Sequence, residues 1–123
     1  MLIDNLLGYD ALTPESWLVI LITPPEGMGE PVYKIFSGWG VGDQWRLSSG
    51  AADLSDLIEY DDCFLWRQSS GTRYQLNKHD VPNFTEYMQA ILMKTVIVPA
   101  KAHQIKLQFF NADSLQKALQ TAC

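Results

Sequence analysis

Between Phe84 and Leu92 the apolar side chains return every third or fourth residue, so that Phe84, Tyr87, Met88, Ile91 and Leu92 form one stripe. That spacing predicts a helix over Asn83–Met93. Asn83 is the expected N-cap, with Glu86 three residues on completing a capping-box pattern. A second stripe, Leu115, Ala118, Leu119 and Ala122, follows Asp113 and predicts a closing helix over Asp113–Thr121. Core packing is the expected role of both stripes, and Leu92 is an expected core position.

Elsewhere the pattern is that of strands. Trp17 to Ile22 is an unbroken apolar run ended by Pro24-Pro25, too short for a good helix, and it reads as a buried strand entered through a turn at Thr13–Ser16. Val32–Phe36, Gln44–Ser48, Cys63–Gln68 and Arg73–Leu76 carry the β-branched and aromatic residues of further strands. Ser69-Ser70-Gly71-Thr72 has the composition of a hairpin loop between the last two. Thr95–Pro99 reads as another strand. His103, Ile105, Leu107 and Phe109 alternate with Gln104, Lys106 and Gln108, as in a half-buried strand. Short links between sequential strands favour antiparallel pairing. The expected architecture is a single α+β domain over 1–123, mainly a curved antiparallel sheet of about five to seven strands with two helices.

Between the expected strands Val32–Phe36 and Gln44–Ser48 lies Ser37-Gly38-Trp39-Gly40-Val41-Gly42-Asp43. Glycines there supply the tight turn or bulge of a connection. They are not followed by a helix and have no Lys-Ser/Thr, so neither the dinucleotide fingerprint nor the phosphate loop matches. Trp39, between two glycines, is either folded back over the core or offered to a partner. Tryptophan and arginine dominate interaction hot spots, which makes Trp39 with Arg46 or Arg67 at its rim the candidate patch. Trp45, Trp66 and Tyr74 are the candidate lining of an aromatic pocket.

Composition narrows the function classes. At 123 residues, 47% hydrophobic and 19% charged, the chain has enough apolar surface for one core. No apolar run approaches the ~20 residues of a membrane-crossing helix. The start MLIDNLLGYD lacks a basic n-region, so the expected location is the cytoplasm, with no membrane partner. Cys63 and Cys123 are expected to be free thiols, Cys63 as a small buried hydrophobe.

The net charge is −5, with 11 acids against Lys34 and Arg46 in residues 1–62 and three acids against seven bases in residues 63–123. Such a balance disfavours binding to a phosphate backbone. Asp53, Asp56, Glu59, Asp61 and Asp62 form an acidic segment without a base, read as a solvated loop or short helix or else as a docking face for a basic partner.

No catalytic constellation assembles from the spacing. His79 and His103, with Cys63 or a serine, give no nucleophile and base pair. His79 and Asp80 are expected to make turn contacts. The dispersed histidines and cysteines form no metal-ligand pair, and no metal or cofactor is expected.

Gly42–Gly50, GDQWRLSSG, followed by Ser69–Tyr74, SSGTRY, resembles a pattern in small uncharacterised bacterial proteins of integron gene cassettes and other mobile elements. There a Gly-Asp-Ser-Trp-Arg-Leu-Asn-Ser-Gly run precedes a Ser-Gly-Ser-x-Tyr run. The similarity covers about Tyr33 to Lys78. Gln44 and Ser48 replace the usual serine and asparagine, and Cys63 lies outside both motifs. The resemblance implies an accessory, mobile-element setting and names no activity. From the residues themselves, the preferred expectation is a non-catalytic interaction module that docks a protein partner, or a second copy as a homodimer, through an edge strand and the Trp39 region, with the acidic segment Asp53 to Asp62 giving electrostatic bias. A small-molecule binder with an aromatic-lined pocket and an acidic mimic of nucleic acid are the alternatives.

Overall fold

Val19 and Ile20, successive residues on opposite faces of one strand, are both wholly buried, and that pair of burials organises the fold. The computed structural model describes residues 11–79 and 83–121. Asp80, Cys123 and the apolar segment 1–10 lie outside the described residues. Strand β1 (Ser16–Thr23) pairs antiparallel with β2 (Val32–Trp39) on one side and with β7 (Lys106–Phe110) on the other. β2 continues the sheet to β3 (Gln44–Leu47), for a strand order of β3-β2-β1-β7. A second antiparallel sheet holds β4 (Leu57–Glu59), β5 (Cys63–Arg67) and β6 (Arg73–Asn77) in that order. The α+β class and the antiparallel pairing are those expected, with the strands divided between two sheets.

Register assigns the faces. Trp17, Val19, Ile35 and Phe110 share one face of the larger sheet and pack on Phe64, Trp66, Tyr74 and Leu76 of the smaller one. Leu115 of α3 (Ala112–Thr121) closes the same core. On the opposite face Ile20 and Phe36 meet Met88 and Val96 of the helical run that follows β6, with Ile22, Leu47 and Leu107 around them. A strand covered on both sides has no need of polar alternation, which is why Trp17–Ile22 reads as continuous apolar sequence. Each such buried side chain contributes about 1.5–3 kcal/mol.

The helical run departs from expectation at both ends. Its N-cap is Thr85, whose side chain accepts from the Met88 N–H at 3.2 Å. Asn83 is engaged instead with β1, its N–H donating to Ser16 Oγ and its carbonyl accepting from that hydroxyl, each at 3.3 Å. The run does not stop at Met93. Helix α1 (Glu86–Leu92) passes through a π-helical turn at Met93–Ile97 into α2 (Val98–Ala102), so Thr95–Pro99 is helical and not a strand. Tertiary burial of Val96 outweighs the β propensity of this stretch. Pro99 is the second residue of α2, directly after the π-helical turn. The widened turn is stitched by Val98 N–H to the Met93 carbonyl and by Thr95 Oγ1, which donates to the Ile91 carbonyl at 2.6 Å. Gln104, at φ 56, ends the run.

Three smaller corrections follow from packing. Along the apolar stripe Met88 is the buried anchor, Leu92 is half-buried and Tyr87 is 52% exposed. In β7 Leu107 and Phe109 share a face as expected, opposite Ile22 and Ile20, with Phe109 41% exposed; Phe110 enters the core between the sheets from the other face, and His103 belongs to the end of α2 because the strand starts only at Lys106. α3 is capped two residues earlier than expected: Asn111 Oδ1 accepts from Ser114 N–H and Ser114 Oγ accepts from Asn111 N–H, both at 2.9 Å. Asp113 lies within the first turn and pairs with Lys117 at 3.4 Å.

Gly50 is fixed by both conformation and space. It has φ +113, and a Cβ there would stand 2.6 Å from Val32 Cγ2. Gly71 has φ +93 with nothing within 4 Å of the added atom. Gly50→Ala is expected to cost about 2–5 kcal/mol, combining a backbone penalty of about 1–2 with overpacking of about 1–3. Gly71→Ala should cost only the backbone penalty of about 1–2 kcal/mol. Urea unfolding of the two variants checks this, and equal losses would mean that the contact with Val32 is relieved at no cost.

Candidate functional site

The connection from β2 to β3 is pinned before it reaches the edge of the sheet. Glu15 N–H donates to the Gly38 carbonyl at 3.1 Å, and Glu15 Oε1 accepts from the Gly40 N–H at 2.7 Å. A Cβ on Gly38 would run into Met88 Sδ, so this glycine lets α1 sit directly on β2. A short 3₁₀ turn, Val41–Asp43, then reverses the chain with Gly42 at φ 74 and Asp43 at φ 49. Trp39 folds back: half-buried, it donates from Nε1 to the Thr13 carbonyl at 3.1 Å.

β3 is an edge, with no strand on its outer side among the described residues. Its ladder continues one residue beyond Leu47, where Ser48 N–H donates to the Ile35 carbonyl at 2.9 Å. Antiparallel ladders alternate hydrogen-bonded and non-hydrogen-bonded pairs. Counting back along the register, the main-chain groups of Arg46 and Gln44 turn toward β2, and those of Trp45 and Leu47 turn outward. The Trp45 ring, 36% exposed, stacks on Phe36 with centroids 6.1 Å apart.

Leu12 and Thr13 form the other wall. Leu12 extends the smaller sheet beyond β6, its N–H donating to the Arg73 carbonyl and its carbonyl accepting from the Gln75 N–H, both at 2.8 Å. The edges of both sheets thus border one open groove of about 670 Å³, lined by Leu12, Thr13, Trp39, Asp43, Trp45 and Arg46 among others. The Arg46 guanidinium also reaches the Tyr74 hydroxyl.

Of the aromatic and arginine candidates, the structure brings together Trp39, Trp45 and Arg46. Trp66 and Tyr74 are 0% and 1% exposed and are part of the core between the sheets, apart from the exposed Trp45. Arg67 borders a different cavity, described below.

The acidic segment contains β4, a strand where a loop or short helix was expected, because Leu57 alternates into the core. Its acids have separate environments. Asp53 Oδ1 accepts from the hydroxyl and N–H of Ser55 at 2.6 and 2.9 Å, which holds its carboxyl below the ordinary value. Glu59 pairs with Lys78 at 2.6 Å, and Asp62 stands 3.5 Å from His79 in solvent. Asp56 and Asp61 are exposed. Cys63 is 2% exposed within β5.

Sequence reasoning missed the wall formed by Leu12 and Thr13: Thr13 was read only as the start of a turn, and Leu12 was given no role. It also missed the meeting of Ser48-Ser49-Gly50 with Ser69-Ser70-Gly71. The signal for the latter was the repeated tripeptide. Ser69 N–H donates to the Gly50 carbonyl at 2.8 Å and Ser70 N–H to Ser49 Oγ at 2.9 Å.

Burial pushes the Tyr74 phenol above its ordinary value, against the opposing pull of Arg46, and burial followed by the charge of Asp53 raises that of Tyr33. A raised folded value means that the native state holds its proton more tightly than the unfolded chain. The associated stability is complete below about pH 10 and declines as pH rises through the folded values. Tyr74→Phe should therefore flatten the alkaline loss of stability measured by urea unfolding above pH 10, whatever its effect at neutral pH. An unchanged alkaline slope would assign the loss to other groups.

No protein-family model, curated protein or solved structure matches the chain.

Proposed function

We propose that the protein is a non-catalytic interaction module of accessory type that takes an extended segment of a protein partner along the outer edge of β3 and into the adjoining groove. The observation that carries this reading is the outward-facing main chain of Trp45 and Leu47 beside a groove walled by Trp39, Trp45 and Arg46. An added strand satisfies those main-chain groups, and the groove reads alternate side chains of the incoming segment. Trp45 offers an aromatic anchor already immobilised against Phe36, which lowers the entropy cost of binding. Asp43 and Arg46 put both signs of charge on the groove wall, which favours a segment of mixed charge.

The reading is tested by capturing partners from host lysate on the tagged protein, identifying them by mass spectrometry, and following amide hydrogen exchange of the purified complex. In the unbound protein the Trp45 and Leu47 amides should exchange faster than that of Arg46, and in the complex they should become protected. Trp45→Ala should weaken the complex by about thirtyfold, the loss of a hot-spot residue worth about 2 kcal/mol. Protection confined to other elements, or an unweakened Trp45→Ala complex with a normal melting temperature, would overturn it. A co-purifying small molecule in the groove without a protein would assign the site to a ligand instead.

A further inference from the structure

A second, open cavity of about 450 Å³ lies beside the contact between the two Ser-Ser-Gly bends, bordered by Gly50 of the first and by Ser69, Ser70 and Gly71 of the second, and shares no lining residue with the β3 groove. Such a volume is in the range of small-molecule sites. Its walls are preformed. Besides the two hydrogen bonds between the bends, Gly71 N–H donates to the Gln68 carbonyl at 2.8 Å and Gln68 N–H to the Thr72 carbonyl at 2.9 Å.

Charges of both signs line this cavity without joining. Arg67, Asp53 and Asp56 all border it, yet among the described residues no ion pair links the guanidinium to either carboxylate. Asp53 uses only Oδ1 on Ser55. Gln68 is 2% exposed; its Oε1 accepts from Ser48 Oγ at 2.6 Å, and its Nε2 has no hydrogen-bond partner. A buried amide donor without a partner is costly to the fold, and of the five buried polar side-chain atoms without one among the described residues, Gln68 Nε2 is the one that belongs to a residue lining this cavity. A ligand with one positive and one negative group spans such a set of charges, each end meeting an opposite one, while a simple anion meets two carboxylates and a simple cation meets the guanidinium.

We propose that this cavity binds a small zwitterion of the amino acid or dipeptide class, its ammonium directed to Asp53 and Asp56 and its carboxylate to Arg67 beside the Gln68 amide. The dipeptide alanyl-alanine is the probe, titrated at millimolar concentration into the labelled full-length protein and followed by NMR. Saturable shifts are expected at the Gln68 side-chain amide and at Ser69–Gly71. The N-acetylated and the C-amidated dipeptides should each bind at least tenfold more weakly, and so should the free dipeptide to Arg67→Gln and to Asp56→Asn. Both substituted residues are exposed, so the variants should keep the parent melting temperature, which is measured alongside. Absence of saturable shifts, equal binding of the blocked dipeptides, or binding undiminished in both variants would overturn the proposal.

Discussion

Burial of the β1–β2 pair on both faces is the constraint from which the rest of the molecule follows. One face carries Trp17, Val19 and Ile35 into contact with the smaller sheet, and the other carries Ile20 and Phe36 against the helical run. A sheet closed in this way has no open face on which to build a binding surface. What remains available is its edges and the loops that join it to its neighbours. The proposed β3 groove and the cavity between the serine bends are one of each.

Ser48 connects these two regions. Its hydroxyl accepts from the Ile35 N–H at 2.7 Å and donates to Gln68 Oε1 at 2.6 Å, so one buried side chain joins the end of β3 to the end of β5. Ile35 thereby keeps a partner where the regular ladder stops, and the chain can leave the larger sheet without stranding an amide. The bend that follows needs Gly50 because its backbone lies against Val32. Gly42–Gly50 and Ser69–Tyr74 therefore include the segments that hold the two sheets together.

The elements most legible in the sequence were those whose pattern and environment agree. Phe84, Met88, Ile91 and Leu92 kept helical spacing because one side of α1 meets the sheet, and Val32–Phe36 and Arg73–Leu76 kept strand composition because both enter regular ladders. Legibility failed where tertiary contacts reversed a local preference. Thr95–Pro99 has β-branched residues and a proline, yet it is helical because Val96 fills the core and a π turn accommodates Pro99. β4 was hidden by its acids, since Leu57 alone among its three residues is buried. For the candidate site, Trp39, Trp45 and Arg46 were legible as a local group, but the opposing wall of Leu12 and Thr13 arises from a pairing across more than 60 residues that no local pattern encodes.

The distribution of charge bears on how such a module would choose partners. The sequence suggests a strongly acidic first half, but Glu59 is neutralised by Lys78, Asp53 commits one carboxylate oxygen to Ser55, Asp62 lies beside His79, and Glu15 holds the Gly40 amide. Much of the acidity is thus spent on local structure, leaving no continuous row of uncommitted carboxylates along Asp53–Asp62. Exposed pairs of this kind add little binding energy and are screened by salt. On the proposed reading, selectivity at β3 would come from main-chain registry, from the fit of side chains against Trp39 and Trp45, and from the local charges of Asp43 and Arg46 rather than from the acidic segment. These are short-range terms that persist at physiological ionic strength, whereas a diffuse acidic field would favour any basic protein over a particular one.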